Sequence, residues 1–227
     1  MDSEGRLVGI ITVDDVVDIM RKETTEDIEK MAAILPTDRP YLKTGVFETY
    51  RKRIPWLLLL MVSATFTGMI ITRFETALSS VVALAAFMPM LMDTGGNSGS
   101  QASVSIIRSL ALGEVEFRDV LRVIWKELRV SIVCGTTLAA ANFAKIMLFD
   151  NLALKSGISM TVALVVCLTI LITVIIAKLV GCTLPLFAKK CGFDPAVMAS
   201  PFITTIVDAV SLVVYFQLAT LRLHLSL

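Results

Sequence analysis

Long apolar runs with few charges dominate the chain from residue 54 onward, whereas the first 53 residues are densely charged. A membrane helix needs about 20 predominantly apolar residues, each adding about 1.5 Å. Five segments approach or exceed that length, and we predict a span in each: residues 54–72, 76–107, 130–149, 156–188 and 195–221. The pattern therefore predicts an all-α, polytopic membrane protein with five transmembrane helices.

The second predicted span contains an acid followed by small polar residues, the run DTGGNSGSQ at residues 93–101. Glycine weakens a helix, and irregular backbone at membrane depth is tolerated only where it lines water or protein. We therefore expect this run to interrupt the span and to line a pore, where its amides and hydroxyls can hydrogen-bond a hydrated ion. Tight helix packing through small residues is the alternative. The candidate pore positions are Asp93, Gly95, Gly96, Asn97, Ser98 and Gln101.

A second intramembrane acid, Asp208, lies in the last apolar segment. An ionised Asp at mid-membrane costs roughly 2.5–3.5 kcal/mol on insertion scales, so such a residue indicates a functional site facing water or the bundle interior. The helical repeat places three polar residues on the face of Asp208 and one beside it, namely Ser200, Thr204, Ser211 and the adjacent Thr205. This stripe predicts a pore-lining helix, and an Asp that locks two helices together is the alternative.

The triplet Asp93-Thr94-Gly95 also raises the hypothesis of an aspartic protease. Soluble aspartic proteases carry this triplet in a β-rich lobe and pair it with a second, whereas this chain has one copy in an apolar segment. Intramembrane aspartyl proteases use two helical carboxylates, within Tyr-Asp and Gly-x-Gly-Asp motifs, and neither motif surrounds Asp93 or Asp208. Two carboxylates sharing a proton are still chemically reasonable, but the sequence context disfavours peptide cleavage.

Oxygen donors dominate the candidate pore positions, which indicates a hard cation. One His and four Cys without a C-x-x-C pair give no zinc or copper constellation. Mg²⁺ sheds its water reluctantly and is usually held by one or two carboxylates, which suits one Asp per chain doubled across a two-fold axis. A net charge of +1 predicts no nucleic-acid partner. The sequence contains no Walker motif, so it does not indicate an ATP-driven step.

The pattern of the polar N-terminal piece predicts a strand followed by helices. Residues 7–13 are apolar and β-branched, and Asp14 stands where a helix N-cap is expected. One strand and one helix cannot bury a core alone, so we expect this piece to end a larger domain. Residues 23–35 then predict a helix leading to the membrane. Five acids precede the first span and form either a solvated face or a divalent cation site: Asp15, Asp18, Glu23, Glu26 and Asp27.

Lys and Arg are distributed unevenly between the two ends of the predicted spans, and this bias sets orientation. Ten lie immediately before the first span (Arg51, Lys52 and Arg53), in the loop after the second and after the fourth, and four lie at the opposite ends. We therefore predict a cytoplasmic N-terminus and a C-terminus on the outer side of the cell membrane.

Several motifs together resemble the MgtE family of magnesium channels and transporters. They are PMLMDTGGNSGSQ at residues 89–101, DPA at 194–196 and PFITTIVD at 201–208, with VDDVVD at 13–18 and TTEDIEK at 24–30. Residues 5–15 also resemble the last strand and helix of a CBS domain, a regulatory nucleotide- or ion-binding module. The resemblance covers nearly the whole chain.

The resemblance implies a homodimer with five spans per subunit and a central ion path. It implies that Asp208 holds hydrated Mg²⁺, with Asn97, Thr204 and Thr205 lining the same site, and with Mn²⁺, Co²⁺ or Ca²⁺ as weaker ligands. Asp194 belongs to the shared DPA motif. The acids of residues 15–27 correspond to a regulatory site at which cytosolic Mg²⁺ closes the pore.

The resemblance also implies a division of the chain. Residues 1–22 would be the end of a second CBS domain, residues 23–53 a connecting plug helix and linker, and residues 54–227 the transmembrane domain. By the same resemblance, the N domain, the first CBS domain and most of the second are missing before Met1, as in either a fragment or a truncated reading frame, so closure by Mg²⁺ is not an expectation for this sequence alone. A non-conducting membrane partner or divalent-cation sensor is the alternative function.

Overall fold

A computed structural model describes residues 9–37 and 39–223, and over these residues the protein is helical without a strand. Its α-helices are Val13–Met31 (α1), Val46–Arg73 (α2), Glu75–Ser80 (α3), Ala83–Ala111 (α4), Val120–Lys145 (α5), Met160–Lys190 (α6) and Ser200–Leu223 (α7). Three 3-10 turns lie at Tyr41–Lys43, Phe117–Asp119 and Pro195–Met198, and a π-helical segment, Ile146–Ala153, continues α5.

Helices long and apolar enough to cross a membrane confirm a multi-pass membrane protein. Within the described residues there are four: Val46–Arg73, Phe117–Ala153, Met160–Lys190 and Pro195–Leu223. Helix α4 has 29 residues, about 43 Å of helix, which is also long enough. Its polar run at residues 93–101 lowers its hydropathy, so the count of five spans stays a prediction.

Helix α6 is the centre of the bundle and packs against α4, α5 and α7. The main hydrophobic core lies where α4, α6 and α7 meet. The Tyr215 hydroxyl is buried in this core and donates a hydrogen bond of 3.0 Å to the Leu84 carbonyl. Next to it, Phe216 stacks on Phe74 with ring centroids 4.8 Å apart. Helix α2 packs on α7 but buries none of its residues.

The polar run does not interrupt its helix, so that prediction is wrong. Helix α4 continues through residues 93–101, and the break in this part of the chain falls at residues 81–82, between α3 and α4. Gly95 and Gly99 are spaced by four residues and are both buried. A Cβ on Gly99 would lie 2.7 Å from Ile203 Cγ2 of α7, and a Cβ on Gly181 of α6 would overlap the Gly99 carbonyl oxygen. Close packing through small residues therefore explains these glycines.

The N-terminal piece also differs from its prediction. Residues 9–12 are irregular and Val13 already begins α1, so the strand expected over residues 7–13 is absent from residues 9–13. No second strand pairs with them among the described residues, and residues 7 and 8 lie outside the described part. The N-cap is Thr12 rather than Asp14, because Asp15 and Thr12 form a reciprocal capping box. Helix α1 runs on to Met31, so two predicted helices are one, and the domain boundaries stay predictions.

Two contacts place helix ends and loops relative to one another. Lys189 Nζ donates a hydrogen bond of 3.0 Å to the Leu110 carbonyl, so α4 and α6 end on the same side. Lys30 Nζ lies 2.6 Å from Asp194 Oδ2, which brings α1 to the loop between α6 and α7. This arrangement agrees with the side that the Lys and Arg bias groups together; its assignment as the cytoplasmic side stays a prediction.

We expect Gly181→Ala to destabilise the bundle, because its methyl group would push against the Gly99 backbone, which cannot rotate away. Overpacking of this kind costs about 1–3 kcal/mol, and each kcal/mol corresponds to a Tm decrease of roughly 2–4 °C for a chain of this size. The Tm of detergent-solubilised protein measures the effect.

Gly68→Ala is the matched control, since Gly68 lies in α2 and nothing lies within 4 Å of the position that an added methyl group would take. Its Tm should stay equal or rise slightly, because Ala favours a helix more than Gly does. Equal Tm values for the two variants would contradict the close approach of α4 and α6.

Candidate cation site

Asp208 lies on α7 as a half-buried carboxylate that has no hydrogen-bond or ion-pair partner among the described residues. One turn before it, the hydroxyls of Thr204 and Thr205 each donate a hydrogen bond of 3.0 Å to the Pro201 carbonyl. Each hydroxyl proton is therefore engaged, and the lone pairs of the two oxygens are free to accept. This part of α7 presents a carboxylate and two acceptor oxygens.

Gly96 lets α7 bring its acid against the backbone of α4. A Cβ at Gly96 would lie 2.9 Å from Thr204 Cγ2 and 3.7 Å from Asp208 Oδ1. The next residue, Asn97, is exposed, and it shares one face of α4 with Asp93 and Gln101, at intervals of four residues. The structure therefore places Gly96 beside Thr204 and Asp208, whereas Asn97 lies on the neighbouring face of α4.

An open groove of about 490 Å³ runs along this face of α4, between α4 and α5. Its α4 wall consists of Asp93, Thr94, Asn97, Ser98 and Gln101, and its α5 wall of Val133, Cys134, Thr137 and Leu138. Asp93 is exposed and lies within electrostatic reach of Asp208. Two intramembrane acids thus share one region of the bundle.

Lys178 of α6 also lines this groove, and the sequence analysis did not single it out. It is the one charged residue in residues 156–188, which was the available signal. Its position on the groove side of α6 depends on how α6 packs against α4, which the sequence did not specify.

Gly95 and Ser211 pack helices together in this structure, whereas Ser98 lines the groove and bonds within its own helix. Gly95 faces α6 and α7, where a Cβ would lie 2.7 Å from Thr173 Cγ2. The buried hydroxyl of Ser98 donates to the Thr94 carbonyl at 2.7 Å, and that of Ser211 donates to the Val207 carbonyl at 2.6 Å. Pore roles for Gly95 and Ser98 stay predictions, and the side chain of Ser200 is outside the described set.

Asp194 lies at the membrane-side end of α1 rather than beside Asp208. It accepts hydrogen bonds from Lys30 Nζ at 2.6 Å and from the Ala196 N–H at 2.9 Å. Burial disfavours its charged form, but these hydrogen bonds outweigh burial and hold the pKa of Asp194 below its usual value. Met31 packs beside this contact on Ala196 and Ala199, so α1 docks onto the residues that lead into α7.

The predicted regulatory acids are spread along α1. Asp15 is committed to the capping box, and its hydrogen bonds with Thr12 lower its pKa; Asp18 and Glu23 are exposed. Among the residues that the structure describes, no group of three acidic, His or Cys side chains is arranged to hold a metal ion. The regulatory cation site therefore stays a prediction.

Glu26 and Asp27 lie closest to the docked end of α1. Glu26 pairs with Lys30 at 2.5 Å. Burial raises the pKa of Asp27, and repulsion by the nearby Asp194 adds to this effect. This end of α1 therefore combines one cation with several acids, and a change in local cation concentration can alter its balance of charge.

These features define a polytopic membrane protein whose helical bundle carries carboxylates, amides and hydroxyls on neighbouring faces of α4 and α7. Residues 88–218 match the MgtE family, whose description is divalent cation transporter, and the chain belongs to that family. The family is a class of transporters rather than enzymes, which rules against the protease hypothesis.

Curated relatives support the same assignment. The magnesium transporter MgtE of Thermus thermophilus is 38% identical over 224 residues, which are 99% of this chain and 48% of that protein. The proteins of the same name from Bacillus subtilis and Enterococcus faecalis are 37% and 29% identical, over 96% and 97% of this chain and 46% of each relative. The chain thus spans about half the length of these relatives.

We expect Lys30→Met to loosen the docking of α1. The ion pair is partly exposed, so its loss should cost roughly 1 kcal/mol, equivalent to about fivefold faster amide exchange in residues 26–35 and 193–199. Hydrogen–deuterium exchange with mass spectrometry measures this change. Lys22→Met is the control, because Lys22 is exposed on the same helix and has no ion pair in the described residues.

The difference between Lys30→Met and the parent protein should be similar at pH 6 and pH 8. The Asp194 hydrogen bond raises the pKa of Lys30, whereas the pKa of Asp194 is lowered. Asp194 therefore stabilises the contact above its ordinary pKa, and Lys30 does so below its own, so both are charged between about pH 5 and pH 9. Equal exchange in the two Lys variants would contradict a docking role for this pair.

Proposed function

We propose that the protein carries Mg²⁺ across the cytoplasmic membrane into the cell, along a path on which the Asp208 carboxylate holds the hydrated ion. The observation that carries this proposal is the unpaired, half-buried Asp208, placed beside Thr204 and Thr205 and against the Gly96 backbone. An intramembrane acid without a protein partner is costly unless a cation or water occupies its surroundings. The relatives' name, magnesium transporter, supports Mg²⁺ as that cation.

The donor set suits a cation that keeps its water. Water bound to Mg²⁺ donates hydrogen bonds, and the hydroxyl oxygens of Thr204 and Thr205 are oriented to accept them. The side-chain oxygen of Asn97 can accept another. One carboxylate with water-mediated contacts is typical of Mg²⁺. Mn²⁺, Co²⁺ and Ca²⁺ are weaker ligands in this proposal, since they differ in size or in how readily they lose water.

A homodimer with five spans in each subunit would complete the path. Asp93, Asn97 and Gln101 are exposed on one face of α4, and hydrocarbon does not tolerate such a face. A water-filled path between two copies would cover it and bring two Asp208 side chains to a common axis. Membrane lipid would then contact the apolar side chains of α2.

The membrane potential suffices to drive uptake in this proposal. Moving one elementary charge across 100 mV is worth about 2.3 kcal/mol, so a divalent cation gains about twice that. Cytosolic Mg²⁺ would close the path by screening the acids at the docked end of α1, among them Asp27. The relatives are about twice as long as this chain, and their additional residues would contribute to the closure.

We expect inside-negative liposomes that contain the protein and a Mg²⁺-sensitive dye to take up Mg²⁺, and Asp208→Ala to reduce the initial rate by about tenfold or more. The reason is that a path requires a site attractive enough for the ion to leave bulk water. Asp208→Asn should retain weak and less selective flux, because its amide oxygen still accepts hydrogen bonds from hydrated ions.

Glu114→Gln is the matched control, since Glu114 is an exposed acid in the loop after α4, and its flux should equal that of the parent protein. Full flux through Asp208→Ala would place the ion path elsewhere. No flux from folded, dimeric parent protein would instead favour a non-conducting membrane partner or cation sensor.

A further inference from the structure

Lys178 is a buried lysine in the most hydrophobic helix of the protein. It is 6% exposed, and it is the one charged residue in residues 156–188. No acceptor lies within hydrogen-bond or ion-pair distance of its ammonium group among the described residues, although the side chain lines the groove beside α4. A charged side chain at this depth costs roughly 2.5–3.5 kcal/mol unless a counter-charge or water compensates it.

Asp93 is the acid that lines the same groove as Lys178. Both side chains line the same open space of about 490 Å³, and Asp93 likewise has no hydrogen-bond or ion-pair partner in the described part of the chain. The other acid near this stretch of α6 is Glu127 of α5, which lies within electrostatic reach of Cys182, one turn after Lys178. Glu127 does not line the groove, so Asp93 is the better placed counter-charge.

We propose that Lys178 is the intramembrane counter-charge of Asp93, and that this pair leaves Asp208 as the one uncompensated acid that attracts the transported cation. The proposal rests on the proposed transport function for its second part only. With Lys178 charged, Asp93, Asp208 and Lys178 together carry one net negative charge per chain. Lys178 is thereby a positioning residue that sets the affinity for the cation, and it is distinct from the residues that contact the ion.

The sign of the effect on transport follows from the two acids. Asp93 lies within electrostatic reach of Asp208, so without Lys178 both carboxylates would attract the same divalent cation. Transport requires a site that binds strongly enough to admit the ion and weakly enough to release it. Loss of the lysine charge should therefore tighten cation binding and slow release.

A double-mutant cycle on stability tests the pairing independently of transport. We expect D93N to lower the Tm of the purified protein by roughly 5–10 °C, because it leaves the buried Lys178 without a counter-charge. K178M should lower the Tm by less, since Asp93 is exposed, and D93N/K178M should recover more than half of the D93N loss. E127Q combined with K178M should give no recovery. Additive losses in D93N/K178M would overturn the pairing. If D93N yields no folded protein while D93N/K178M does, that rescue supports the pairing equally well.

Transport kinetics in liposomes test whether Lys178 sets the affinity for the transported cation. We expect K178M to lower the Mg²⁺ concentration at half-maximal flux by about tenfold, and to lower the maximal flux by a similar factor. K178R should resemble the parent protein, and D93N/K178M should return both values towards it. An unchanged half-saturating concentration in folded, conducting K178M would overturn the role of Lys178 in setting cation affinity. If the parent protein does not conduct at all, the proposed function fails, while the stability cycle still decides the pairing.

Discussion

The contact between the backbones of α4 and α6 at Gly99 and Gly181 is the constraint on which the rest of the bundle depends. No side chain larger than hydrogen fits at Gly181, because a Cβ would overlap the Gly99 carbonyl. Close approach of this kind replaces the hydrophobic driving force that helices lack in lipid, since it maximises van der Waals contact. It also sets the rotation of α4, so that Gly96 faces α7 while Asp93, Asn97 and Gln101 face the groove.

The charges inside the bundle differ mainly in what compensates them. Lys145 and Asp150 form an ion pair of 3.0 Å near the junction of α5 and its π-helical extension. Asp208 has acceptor oxygens beside it rather than donors, because the threonine hydroxyls already donate to Pro201. An anion surrounded by acceptors is stabilised by cations or by the water that they carry. The geometry thus distinguishes the acid suited to a cation from the acids that are paired within the protein.

The sequence predicted the apolar spans and the polar face of α7, because both follow from composition and helical periodicity. It misjudged the run at residues 93–101, since glycine both weakens helices and permits their close packing; the four-residue spacing of Gly95 and Gly99 was the signal for packing. The strand is absent from residues 9–13 because no second strand pairs with them among the described residues, and the N-cap is not Asp14 because Thr12 and Asp15 form a capping box. Contacts between distant parts of the chain, such as Lys30 with Asp194, left no local pattern at all.

The docking of α1 and the position of Asp208 are connected through a single helix. Asp194 caps the turn Pro195–Met198, which leads directly into α7. Asp208 lies eight residues after Ser200, about 12 Å along the helix axis. Met31 and Lys30 contact residues 194–199, the segment immediately before α7. In the proposed closure by cytosolic Mg²⁺, a change of charge at the docked end of α1 would therefore reach the Asp208 carboxylate through this segment and α7.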